Sequence, residues 1–174
     1  MSFNLNKAIE ILERSSHVLT SLLEGLSDEW INNNEGEETW SPFDIMGHLI
    51  HGEKTDWMVR TELILSNETD KEFIPFDRFA QFELSKGKNI SQLLQEFQNL
   101  RRNNLITLKS KNITAEDLNK TGIHPAFGDV TLEQLLSTWV VHDLGHIAQI
   151  SRVMAKQYKL DVGPWRDYLP ILDR

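Results

Sequence analysis

Cysteine is missing from the chain altogether. Its absence removes disulfides, thiolate ligands and thiol nucleophiles together, and it suits a reducing compartment, so a cytoplasmic protein is expected. Positive charge is scarce as well: 18 lysines and arginines stand against 26 aspartates and glutamates, a formal net charge of -8. Such a surface repels a phosphate backbone, and the one basic pair, Arg101 and Arg102, is too small a patch to reverse that. No nucleic-acid partner is expected. No segment approaches the roughly 18 uninterrupted apolar residues of a membrane span, and the opening residues 1–7 lack the apolar core of a signal peptide. We therefore expect no membrane partner. Repeats and low-complexity tracts are lacking, and the 5 prolines and most of the 9 glycines fall in or beside connections. The 174 residues then read as a single domain, residues 1–174, large enough to bury a core without cross-links.

What is present is helical periodicity. Leu5, Ala8, Leu12, Ser15, Leu19, Leu22 and Leu26 alternate steps of three and four, the stripe of an amphipathic helix that Asn4 can cap. Ser15 and Ser16 break the stripe with small side chains. Ser41-Pro42 is a strong helix start, a cap followed by proline in the first turn, and the second helix is expected to run unbroken to about Ser66. A third follows Ser91 as cap, with Leu93, Leu94, Phe97, Leu100, Leu105 and Leu108 on its apolar face. Thr131 with Gln134 opens a fourth that ends near Tyr158. Two long connections remain. Residues 67–89 carry four phenylalanines and read as a crossover, and residues 112–130 contain one short helical turn near Thr114. The fold class expected is all-α: a four-helix bundle with long crossover connections.

The fourth helix holds His142 and His146, four residues apart and so on one face, able to clamp one ion between them. They fall in phase with Leu132, Leu135, Trp139, Ile150 and Val153, which predicts that both point inward. Imidazoles in a core need a partner, either a hydrogen-bonding group or a cation. On the second helix His48 is close to the phase of Ile45 and Gly52, and His51, about 60° round the helix, competes with it as third ligand. Gly47 and Gly52 weaken that helix, which is understandable if something needs room beside His48. Three histidines with open positions make a catalytic rather than a structural metal site. Glu53, nearly a turn and a half past His48, is the candidate catalytic base. Asp143 points roughly 100° away from His142 and is expected to form a salt bridge; Gln149 and His124 are weaker candidates for supporting roles.

Several stretches together carry a family resemblance: Trp40-Ser41-Pro42 leading to His48-Leu49 and Glu53, Gly128-Asp129-Val130-Thr131-Leu132, residues His142 to Ile150, and Val162-Gly163-Pro164-Trp165-Arg166-Asp167-Tyr168-Leu169. The chain resembles, over nearly its whole length, the DinB-like superfamily of small metal-binding four-helix bundles, which includes bacillithiol transferases. The resemblance implies that His48, His142 and His146 are the metal triad, with nickel or zinc as the ion and waters completing its shell. It also implies a homodimer acting on a small-molecule substrate. The activity then expected is a metal-dependent transferase that uses a low-molecular-weight thiol as co-substrate, or a related hydrolase. The alternative is a non-catalytic metal or small-molecule binding protein of a stress response.

Overall fold

The computed structural model describes residues 2–173. Its helices in chain order are α1 (Leu5–Leu23), α2 (Asp28–Asn32), α3 (Pro42–Thr55), α4 (Trp57–Leu65), α5 (Ala80–Leu84), α6 (Ile90–Ser110) and α7 (Leu132–Lys156); a hairpin of β1 (Thr121–His124) and β2 (Gly128–Thr131) precedes α7. Four long elements make the bundle: α1, the α3–α4 pair, α6 and α7. Helices α6 and α7 each pack on both α1 and α3. Helices α1 and α3 therefore face each other across a diagonal although they are neighbours in sequence. Among the described residues no helix is long and apolar enough to cross a membrane.

Local chemistry explains the starts of these helices. Reciprocal capping boxes close the N-termini of α3 (Ser41 with Asp44), α6 (Asn89 with Gln92) and α7 (Thr131 with Gln134), each satisfying two backbone N–H groups that would otherwise lack partners. The cap of α6 is Asn89, not Ser91: the asparagine carbonyl accepts from Gln92 N–H at 2.9 Å, so the helix begins two residues earlier than its serine suggests.

The expected single helix from Ser41 to Ser66 is broken at Asp56, whose φ of -115° and ψ of -78° interrupt the spiral. Kinks have local causes. Here the Trp57 indole turns back toward Gly52, where a side chain would crowd its Nε1, and stacks on Trp139 at 5.7 Å. Asp56 closes the bend through an ion pair to Arg60 Nε at 2.6 Å.

The crossover and the hairpin support each other. Ile123 N–H donates to Lys71 O at 2.9 Å and Phe73 N–H to Ile123 O at 2.8 Å, which lays the start of the crossover beside β1 and buries Phe73. The hairpin was not expected from the sequence, because its strands of four residues are too short to show alternation. Farther along, the crossover forms α5, which rests on α3 at Gly47: a Cβ there would run into Ser85 and touch Gln81. The room that Gly47 provides is thus for the crossover, and the room at Gly52 is for Trp57.

The apolar core is divided. One cluster includes Leu12, Trp57, Ile64, Phe73, Leu105 and Trp139. The other includes Leu19, Ile45, Leu49, Phe97, Ile150 and Val153. Between them in chain position on every long helix stands buried polar chemistry: Ser15 and Ser16 on α1, Glu53 on α3, Arg101 on α6 and Asp143 on α7. At the hairpin, Gly122 lies so close to the Phe73 ring and Ile64 that a Cβ would fall inside their van der Waals surfaces. Gly122→Ala is expected to cost about 1–3 kcal/mol by overpacking, measured by urea denaturation.

Candidate metal centre

Helices α3 and α7 bring three imidazoles together. His48 Nε2 lies 3.0 Å from His142 Nε2, and His146 Nε2 lies 3.1 Å from the same atom. Among the described residues these three are the group of histidine and acidic side chains whose ligand atoms all lie within 4.8 Å of one another. Nitrogens that close are consistent with ligands placed about 2.0–2.1 Å from one ion. The donor chemistry fits as well. Burial pushes the pKa of His48 down to about 4 and that of His142 to about 3, with the other imidazoles adding to the effect, and burial also lowers His146 against the opposing help of Gln149. All three rings are neutral at pH 7, the form in which a histidine binds a metal. His48 and His142 moreover keep buried Nδ1 atoms without a hydrogen-bond partner, groups that normally find one.

The surroundings are aromatic. Trp40 lies 4.9 Å and Phe76 5.4 Å, centroid to centroid, from the His48 ring, and Trp57 meets His142 edge-on at 5.1 Å. Phe76 also packs on His51 at 4.7 Å. Both line a cleft of about 520 Å³ with Lys54, Arg60, Phe73 and Asp77. His51 belongs to this cleft and does not join the triad. His124 stands in the hairpin stacked on Phe127 at 4.4 Å, apart from the three imidazoles. Gln149 does support the centre, with its Oε1 2.8 Å from His146 Nδ1.

The predicted inward stripe of α7 needs one correction. The residue at the core position is Asp143, which is fully buried, whereas His142 and His146 are only half-buried. The imidazoles therefore sit on the flank of α7 that faces α3. Asp143 is drawn inward by Arg101, whose guanidinium spans its two carboxylate oxygens at 2.5 and 3.0 Å. The same guanidinium donates to Glu53 Oε1 at 2.7 Å and to Leu12 O at 2.9 Å. Glu53 is thus placed in the interior, where Trp139 Nε1 donates to it at 3.1 Å and Asn104 Nδ2 at 2.9 Å. Its carboxylate is committed to Arg101, Trp139 and Asn104 and stands outside the triad.

Arg101, Asn104 and the Trp139 indole are the parts of this site that sequence reasoning missed. A signal existed for the first: Arg101 falls in the run Leu94, Phe97, Arg101, Leu105, Leu108, a charge inside an apolar stripe.

A model of the DinB superfamily matches residues 11–150, four-fifths of the chain and all three histidines. This chain is a member of the DinB superfamily. Among solved structures, YfiT from Bacillus subtilis superposes with a TM-score of 0.75 at 25% identity over 90% of each chain, and is described as "a probable metal-dependent hydrolase with an unusual four-helix bundle topology". No curated protein matches.

Two outcomes follow from the electrostatics. Replacing Arg101 by Met leaves Glu53 and Asp143 buried without their cation and should cost about 3–5 kcal/mol of stability, read by thermal and urea denaturation. In the metal-free protein, unfolded imidazoles take up protons below the ordinary pKa of 6.5, while His48 resists to about 4 and His142 to about 3. The unfolded state binds more protons in that window. Stability should be full above pH 6.5 and fall as the pH drops toward 4, with a shallower fall in His142→Ala, as measured by urea midpoints across a pH series.

Proposed function

We propose that this DinB member is a divalent-metal enzyme in which His48, His142 and His146 hold a nickel or zinc ion, and that it transfers a low-molecular-weight thiol to a small electrophilic substrate. The observation that carries the metal reading is the convergence of three Nε2 atoms on the flank between α3 and α7. Three neutral imidazoles leave the ion's charge undiminished and coordination positions free, so it supplies Lewis acidity, lowering the pKa of a thiol or water that binds beside the rings.

The chain's own residues favour the thiol over water as nucleophile. No carboxylate among the described residues joins the triad, and Glu53, the carboxylate expected to act as base, is spent on Arg101, Asn104 and Trp139. A site without a general base suits a nucleophile that is already easy to deprotonate. An ordinary thiol has a pKa near 8.5, water one near 15.7. Trp40, Phe76 and Trp57 wall the rings with apolar surface, which strengthens the electrostatic hold on an anion by excluding water. The cleft lined by His51, Lys54 and Phe76 is where the substrate's remainder would rest. Hydrolysis, the activity named for YfiT, is the competing reading, and it requires water to be activated by the ion alone.

Purified without a histidine tag, the wild-type protein should carry close to one equivalent of metal by elemental analysis, and His142→Ala below about a tenth. Metal-loaded protein should accelerate conjugation of small thiols to a chromogenic electrophile, with His48→Ala abolishing the rate. Thiol-independent cleavage of an ester or amide, lost in the same variant, would instead establish the hydrolase. No metal-dependent rate in either assay would establish the non-catalytic binding protein.

A further inference from the structure

We propose that Gln81, on the crossover helix α5, is the positioning residue for His48: its amide oxygen accepts the Nδ1–H of the imidazole and so holds the tautomer whose Nε2 faces the ion. The inference rests on the metal reading of the triad. Where Nε2 is the ligand atom, the ring proton of a neutral imidazole must sit on Nδ1, and that N–H needs an acceptor. His146 already has one in Gln149 Oε1 at 2.8 Å. His48 has none: its Nδ1 is buried without a partner.

Gln81 supplies the complement. It is fully buried, and both its amide nitrogen and its amide oxygen also lack partners. A glutamine is seldom buried with its whole amide unsatisfied, so the group calls for an explanation. It is held against α3 at the right level, since Gln81 Cβ lies 3.4 Å from the place a Cβ would take on Gly47, the residue just before His48. A buried donor on α3 and a buried acceptor on α5 thus stand at neighbouring levels of one helix contact, and a turn about the last torsion of the glutamine, which is broad, is the adjustment that would join them. The crossover thereby becomes part of the metal centre, and Gly47 is needed because any larger residue would push α5 away.

The long-range proton–nitrogen spectrum of zinc-loaded wild-type protein reads this without any variant. His48 should show a zinc-coordinated Nε2 and a slowly exchanging Nδ1 proton. In Gln81→Leu that proton should exchange faster, and zinc affinity in competition with a chromogenic chelator should fall about 10- to 100-fold; Gln81→Glu, which keeps an acceptor, should restore most of the affinity. A wild-type spectrum with the His48 proton on Nε2 overturns the assignment. So does a folded Gln81→Leu protein that binds zinc as tightly as wild type with the proton's exchange unchanged. If wild type itself retains no zinc, and His142→Ala changes nothing, the triad has failed and the assignment falls with it, an outcome distinct from tight zinc binding that ignores Gln81.

Discussion

A guanidinium buried among four helices must be neutralised where it stands, and much of this molecule is arranged to meet that requirement. Arg101 is 1% exposed. It takes Glu53 from α3, Asp143 from α7 and the Leu12 carbonyl from α1, so all four long elements meet at one cation. Burial alone would lower its pKa, but the two carboxylates more than reverse that and raise it. The guanidinium fork has fixed directions. Whatever satisfies both of its faces must sit at set heights and angles around α6, and this restrains the rotation of α3 and α7 about their own axes.

The candidate metal centre inherits that restraint. Asp143 can reach Arg101 only if α7 turns it into the core, and His142, one residue back and roughly 100° round, then faces α3. His146 follows one turn later on the same flank. On α3, anchoring Glu53 places His48 a turn and a half nearer the N-terminus, opposite the pair. The layer acts on the two imidazoles of α7 with opposite sign, Asp143 supporting positive charge on His146 and Arg101 opposing it on His142.

These relations bear on what a sequence can reveal. Helix existence was legible from apolar period, and the starts of α3 and α7 from their capping signals. His142 and His146 were legible because HxxxH has a face, whereas the phase of α3 left His48 and His51 in competition, and the family resemblance, not the period, singled out His48. The flank they occupy was not, since a stripe calculation ranks a histidine as readily inward as the aspartate beside it, and only the distant Arg101 decides between them. The kink at Asp56 has no proline or glycine at the break, being produced by a tryptophan that packs on another helix. The hairpin and α5 are too short for any period to show. In each case the missing information is a contact between residues far apart in the chain, which local pattern does not encode.

The charged layer is not explained by stability. Exchanging a buried ion triad for well-packed apolar residues is often neutral or favourable, and the two apolar clusters on either side could in principle fuse into one. What an apolar replacement would lose is direction. Leucines in place of Glu53, Arg101 and Asp143 would tolerate small rotations of α3 and α7 at little cost, and a rotation of about 20° at a ring carried several ångströms from the helix axis displaces its nitrogen by an ångström or more, enough to spoil ligand geometry. Serines at 15 and 16 on α1, which bond back to their own helix, leave the layer room without competing for the guanidinium. The polar layer thus serves the imidazoles: it sets the angles at which two helices present them, while the apolar clusters above and below supply the stability.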